Sequence, residues 1–280
     1  MRIDLHAHST ASDGTTPPAD LVRHAVEVGL DVVALTDHDT TAGWAEAADA
    51  LPDGLVLVRG AELSCTFGGV SLHLLAYLFD PDEPVLAGRL AELRDSRVGR
   101  AERMVAQLVA AGVPVSWDQV QALAAGTVGR PHVGQALVEA GVVADLDEAF
   151  GPEWIGTRGR YWAGKLELDV LEAIDLVAAA GGVTVFAHPA ASKRGRTVPD
   201  TTIAAMAEAG LTGLEVDHVD HDVAERAHLR GLAADLGLVT TGSSDFHGSN
   251  KTVALGAHLT SPEQYAEIAA LATGSAVLSG

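Results

Sequence analysis

The histidines and carboxylates of this 280-residue chain recur just where short apolar runs end. His6-Ala7-His8 closes the first run, and Asp13-Gly14 follows in a turn. Side chains two apart on a strand share a face, so both imidazoles can address one ion. Taken alone, such a triplet fits a structural pair equally well. Later runs repeat the arrangement. Val32 to Thr36 leads into Asp37-His38-Asp39, and Leu55 to Val58 leads to Glu62. His73 sits within Ser71 to Leu75, and Val183 to Ala187 ends in His188-Pro189. Val239 to Gly242 leads to Asp245-Phe246-His247. Imidazole and carboxylate donors suit Mn, Fe, Zn or Co, and the absence of cysteine donors argues against a structural zinc site.

Seven runs rich in aliphatic and β-branched residues must position these groups, at about 2–8, 32–36, 55–62, 70–78, 183–187, 213–217 and 238–243. Helical stretches follow most of them, as in Pro18 to Val28 closed by Gly29. Apolar strands alternating with helices predict an α/β fold, a parallel sheet with helices outside, and seven units suit a closed or nearly closed barrel. Active sites of such barrels lie at the C-terminal ends of the strands, where these residues fall. Phe67-Gly68-Gly69 predicts an irregular join between the third and fourth runs. The rhythm breaks between 85 and 167, which reads as a small, all-helical inserted domain. One helix runs from Val85 to Ala111, a capping box joins Ser116 to Gln119, and another helix spans Pro131 to Gly141. The barrel domain would then comprise residues 1–84 and 168–280. The formal charge is −20, of which residues 85–170 contribute only −2, with 9 basic and 11 acidic residues. This segment is expected to cap the barrel mouth. Such acidity disfavours coating duplex nucleic acid by charge. No apolar run reaches a membrane span. The single Cys65 and an N-terminus without an apolar signal core lead to a cytoplasmic expectation.

Together the motifs resemble the PHP (polymerase and histidinol phosphatase) family of metal-dependent phosphoesterases over essentially the whole chain. They are Asp4-Leu5-His6-Ala7-His8-Ser9 with Ser12-Asp13-Gly14, Thr36-Asp37-His38-Asp39 and Gly60-Ala61-Glu62-Leu63-Ser64. His73, Ala187-His188-Pro189 and Ser243-Ser244-Asp245-Phe246-His247 complete the set. The resemblance implies a distorted (β/α)7 TIM-like barrel that holds two to three divalent metals, Mn foremost, with Fe, Zn or Mg as alternatives. It implies one metal on His6, His8, Glu62 and Asp245, a second on Glu62, His73 and His188, and a third on Asp13, His38 and His247. The helical insertion resembles the branch acting on nucleotides, which includes 3′,5′-bisphosphate nucleotide phosphatases and 5′→3′ exoribonucleases. The implied activity is hydrolysis of a nucleotide phosphate monoester, or action at the 5′ end of a short RNA. Water activated between two metals about 3.5–4 Å apart would attack phosphorus.

Protein cations would grip the remaining phosphoryl oxygens, a task that suits arginine. Arg130 with His132 in the insertion, and Arg194 with Lys193 and Arg196 after His188, are placed for it. Arg94, Arg97, Arg100 and Arg103 read first as a solvated face with partners such as Glu102, and second as a track for an RNA backbone. The cluster from Glu215 to Asp222 reads as a rim that orients the ligands, as does Asp37. Trp154 to Trp162, interleaved with Arg158 and Arg160, reads as packing or as a base-stacking surface. The partner implied is the phosphate ester alone. An amidohydrolase is the other hydrolase reading, but none of the three lysines, Lys165, Lys193 and Lys251, falls in a predicted barrel strand. Histidinol phosphate is the alternative substrate, and a metal-stabilised interaction module is the non-enzymatic alternative.

Overall fold

The computed structural model describes residues 1–280. The chain opens with β1 (Ile3–Asp4), α1 (Pro18–Glu27), β2 (Val32–Leu35), α2 (Trp44–Asp49), β3 (Val56–Phe67) and β4 (Val70–Tyr77). Four helices then follow without a strand: α3 (Pro84–Ala110), α4 (Trp117–Leu123), α5 (Arg130–Glu139) and α6 (Leu146–Ala149). Alternation resumes with β5 (Leu168–Asp169), α7 (Val170–Ala179), β6 (Val183–Phe186), α8 (Asp200–Glu208) and β7 (Gly213–Asp217). It ends with α9 (Val223–Leu236), β8 (Val239–Gly242), α10 (Pro262–Leu271) and β9 (Leu278–Ser279).

The main sheet runs in the order β1-β2-β3-β4-β6-β7-β8. Its two free edges meet where Ala7 bridges Phe246 in parallel and the His8 N–H donates to the Phe246 carbonyl at 2.8 Å. The result is a nearly closed, barrel-shaped sheet. It differs from the all-parallel expectation at β4, which runs antiparallel to both β3 and β6. Gly68 and Gly69 cause this. Both adopt positive φ, 55° and 76°, and two successive left-handed residues make the tight turn that folds one strand back on its predecessor. The short β5 and β9 both pair with β3 and were too brief to read as runs.

Alternation along the strands sorts the core. Val33 and Leu35 of β2 join the cluster packed against α1, α7, α8 and α9, whereas Val32 and Ala34 join the opposite cluster with Leu5, Val58, Leu75 and Val185. The helices from 101 onward enclose a third apolar cluster built on Met104, Leu108, Val120, Val133 and Leu137. α3 straddles two of these clusters, with Leu86, Leu90 and Leu93 against the barrel and Ala101 to Leu108 in the helical one. The capping box forms as read, with Ser116 Oγ accepting from the Gln119 N–H while Gln119 accepts from the Ser116 N–H.

Candidate metal centre

The end of β1 is pinned before its imidazoles are reached. The buried Asp4 carboxylate accepts backbone N–H bonds from His6, Ser244 and Gly256, tying this strand end to the segment after β8. Beyond His8, Asp37 accepts from the Ser9 N–H and from the hydroxyls of Ser9 and Ser12. It therefore shapes the loop that returns Asp13 and orients no imidazole, contrary to the sequence reading. Gly14 is required at this return, since a Cβ there would lie 2.6 Å from the His8 carbonyl oxygen. His188 (φ 34°) and Asp245 (φ 52°) are both held in the left-handed region, which non-glycine residues rarely adopt. Such backbone strain persists only where its surroundings fix it, and it gathers at functional sites.

All nine candidate donors converge at one end of the barrel. His6 Nε2 and His8 Nε2 lie 3.0 Å apart. Glu62 Oε2 is 3.3 and 3.1 Å from these two nitrogens, and Asp245 Oδ1 is 3.4 and 3.5 Å from them. Four donors so spaced can surround one cation at bond lengths of about 2.0–2.2 Å. The other oxygen of Glu62, Oε1, faces His73 Nδ1 at 2.8 Å and His188 Nε2 at 3.0 Å. Asp13 approaches His8, His38 and His247 at 3.7, 3.7 and 3.4 Å. Three donor groupings result: His6-His8-Glu62-Asp245, His38-Glu62-His73 and His8-Asp13-His38-His247. Glu62 belongs to two of them, and so do His8 and His38.

The electrostatics demand positive charge. Glu62 and Asp245 are almost fully buried, with donor oxygens within 4.8 Å of each other. Two such charges repel by about 3–4 kcal/mol at an effective dielectric of 20. Burial opposes the charged form of every group here, yet neighbours of opposite sign override it for the carboxylates. Glu62, Asp13 and Asp245 are all held well below the usual carboxylate range, Glu62 by His73, His38 and His6. Despite burial, Asp245 and Glu62 push His8 up to about 9, and Asp245, Glu215 and Glu62 raise His6. Burial and Arg194 instead push His188 down to about 3. The buried Nδ1 atoms of His8, His38 and His73 make no aligned hydrogen bond, although Glu62 oxygens lie 3.1 Å from His38 Nδ1 and 2.8 Å from His73 Nδ1, as expected of nitrogens that share a ligand with the carboxylate.

The supporting residues divide less evenly. Glu215 holds His6 Nδ1 at 2.9 Å and also accepts from the His188 N–H and the Ser243 hydroxyl, so it orients two donors at once. From the same acidic cluster, His218 approaches Asp245 Oδ2 at 3.4 Å. Arg194 binds Asp245 Oδ2 at 2.8 Å and Asp220 at 2.5 Å. Lys251, which no motif singled out, binds the same Asp245 oxygen at 2.7 Å. Arg130 begins α5 with its guanidinium over the Phe150 ring at 4.9 Å, lining the cavity above the donors. His132 is buried, and its Nδ1 accepts the Gly129 N–H to cap that helix; it does not line the cavity.

The solvated-face reading of the arginine row fails at its centre. Arg97 and Arg100 are buried, with Arg97 paired to Asp39 and donating to Ser64 Oγ at 2.7 Å. The signal was present in the spacing. The buried stripe Leu86, Leu90, Leu93 continues through Arg97 and Arg100 to Met104 and Leu108, so the two arginines lie on the covered face.

Comparisons with known proteins agree with this geometry. Residues 4–82 match the PHP domain. A 3′,5′-nucleoside bisphosphate phosphatase of Chromobacterium violaceum is 36 % identical over 253 residues, 88 % of this chain and 87 % of that protein. The chain thus belongs to the PHP-domain family, and it is a metal-dependent phosphoesterase. A 5′-3′ exoribonuclease of Haemophilus influenzae is 34 % identical over 92 % of this chain and 94 % of its own. A Bifidobacterium adolescentis protein assigned as a metal-dependent phosphoesterase superposes with a TM-score of 0.91 at 37 % identity, covering 97 % of this chain and 96 % of that one.

Proposed function

We propose that this phosphoesterase removes a phosphate monoester from a nucleotide, such as a nucleoside 3′,5′-bisphosphate or AMP, or acts at the 5′ end of a short oligoribonucleotide. One observation carries the reading: a single cavity of about 2020 Å³ joins the His and Asp donors to an array of arginines and lysines, with the exposed Trp162 in its wall. That volume exceeds the roughly 300–1,000 Å³ of ordinary small-ligand sites. It suits a nucleotide or oligonucleotide better than histidinol phosphate. The names of the two relatives support the same substrate class.

In this reading His6, His8, Glu62 and Asp245 hold one divalent cation, Glu62, His73 and His188 a second, and Asp13, His38 and His247 a third, with Mn foremost. When bound, such cations activate water as a nucleophile and neutralise charge on the phosphoryl oxygens. Glu62 offers Oε2 to the His6 and His8 side and Oε1 to the His73 and His188 side, so its two oxygens could serve two cations. Arg194 and Lys251 occupy Asp245 Oδ2, which leaves Oδ1 facing His6 and His8. Arg130 faces the cavity as a phosphate grip, and residues 85–167 act as the cap that carries it. A carbamylated barrel lysine, as an amidohydrolase would use, finds no counterpart, because none of the three lysines lies in a strand.

The test is phosphate release by Mn-loaded protein from adenosine 3′,5′-bisphosphate, AMP, a 5′-phosphorylated RNA oligomer and histidinol phosphate, side by side. Turnover of a nucleotide or of the oligomer, lost on chelation, is the expected result. Activity on histidinol phosphate alone would overturn the substrate class, and silence on all four with metal in place would favour an interaction module.

A further inference from the structure

Asp13 is the donor that the sheet holds least. Glu62 and His73 lie within strands, and His6, His8, His38, His188 and Asp245 follow strand ends closely, whereas Asp13 stands in the loop between β1 and α1. It is also the single carboxylate among His8, Asp13, His38 and His247, while Glu62 and Asp245 share the grouping with His6. Its oxygens stand 3.7, 3.7 and 3.4 Å from His8, His38 and His247, against 2.8 and 3.0 Å for Glu62 beside His73 and His188. A cation among these four donors therefore depends on how that loop is braced.

The loop is shaped from within by the Ser12 and Gly14 N–H groups donating to the Ser9 carbonyl at 3.2 and 3.0 Å. The Asp13 carbonyl has a different partner, Asn250 Nδ2, at 2.9 Å. Asn250 Oδ1 in turn accepts from Gln135 Nε2 of α5 at 2.8 Å. The polarity of this chain is fixed, because the Gln135 donor on the Asn250 oxygen leaves the Asn250 nitrogen for Asp13, and amides so linked strengthen one another. A second tie lies nearby. The Thr127 N–H, just before α5, donates to the Ala11 carbonyl at 3.1 Å, and a Cβ on Gly126 would come within 2.4 Å of that oxygen. Asn250 also closes the segment that carries His247, whose carbonyl accepts the Thr15 N–H at 3.2 Å. Packing of α5 against the barrel would not require a chain of amides to end on a donor residue.

We infer that Gln135 and Asn250 are positioning residues that hold Asp13 for the cation at His8, Asp13, His38 and His247, so that the helical segment contributes to that site from outside the barrel. This rests on the three-cation reading given above.

The test measures Mn²⁺ binding to the stripped full chain by calorimetry, with bound metal counted by elemental analysis. Asp13→Asn identifies which equivalent this grouping holds. Asn250→Ala should weaken that equivalent about 10-fold or more, with the others within about twofold of wild type. Gln135→Met should weaken it by about 3- to 10-fold, the worth of one hydrogen bond. Gln135→Glu, equal in shape but without the donor, should do the same. The double variant Gln135→Met with Asn250→Ala should bind no more weakly than Asn250→Ala alone, since both changes break one chain. Unchanged affinity in the single variants, equal weakening of every equivalent, or additive losses in the double variant would overturn the relay while leaving the metal centre intact. A wild type that binds fewer than three equivalents would instead overturn the third cation. Amide hydrogen exchange of residues 10–15 in the stripped protein then decides. Faster exchange there in both single variants, with the rest of the chain unchanged, would support the brace and exclude a folding defect; unchanged exchange would remove it.

Discussion

The two faces of the cavity are built by opposite means. On the barrel side, nine histidines and carboxylates lie within β3 and β4 or in the segments that follow β1, β2, β6 and β8, share donors through Glu62, His8 and His38, and are held by buried carboxylates such as Asp4 and Glu215. On the side of the helical segment, Arg97 and Arg100 of α3, Arg130 of α5 and Lys165 before β5 line the same cavity. The first face demands cations and the second demands anions. In the proposed function a phosphate ester would bridge such faces, its reacting end toward the donor cluster and its remaining charge toward the cations. The contrast also shows how a chain of net charge −20 can handle an anionic substrate: its positive charge is concentrated where the substrate would lie.

The comparison breaks most severely at its shared residue. Glu62→Gln removes the charge that two donor groupings use and should lower kcat/KM on the order of 10³-fold, equivalent to about 4 kcal/mol. Bound metal, counted by elemental analysis, should fall in parallel. Arg130→Ala acts on the opposite face. It should raise KM and lower kcat/KM by about 10- to 100-fold, because one charge-assisted contact is worth roughly 1.5–3 kcal/mol. Metal content should stay unchanged, and that separates the two faces experimentally.

How much of this was readable from sequence also divides along the two faces. A strand end combines a period of two with a sharp boundary, so His6, His8, Glu62, His188 and Asp245 could be placed in phase without a structure. His73 lay within a run rather than at its end, and only the antiparallel return at Gly68-Gly69 brings it opposite Ser64 and beside Glu62. Arg97 and Arg100 were misread because their charge was weighed above their place on the apolar stripe that runs from Leu86 to Leu108, which marks the covered face. Lys165 was invisible because residues around it follow no period. Lys251 was likewise unread, since nothing in its loop predicts contact with Asp245 six residues earlier.

Smaller changes sharpen the account. Glu215→Gln leaves every donor in place but loosens the hold on His6 and on the His188 backbone. A residue that orients ligands in this way should cost about 10- to 100-fold in metal affinity, measured by competition with a chromogenic chelator.

The most direct test of the central claim joins metal content to turnover in a single titration. Protein stripped with a chelator would receive Mn²⁺ in measured equivalents while phosphate release from adenosine 3′,5′-bisphosphate is followed. The donor cluster predicts no turnover in stripped protein and a rise that saturates at two to three equivalents, with Glu62→Gln failing to reach it. Full turnover in the stripped protein, or a Glu62→Gln variant as active as wild type, would contradict the account.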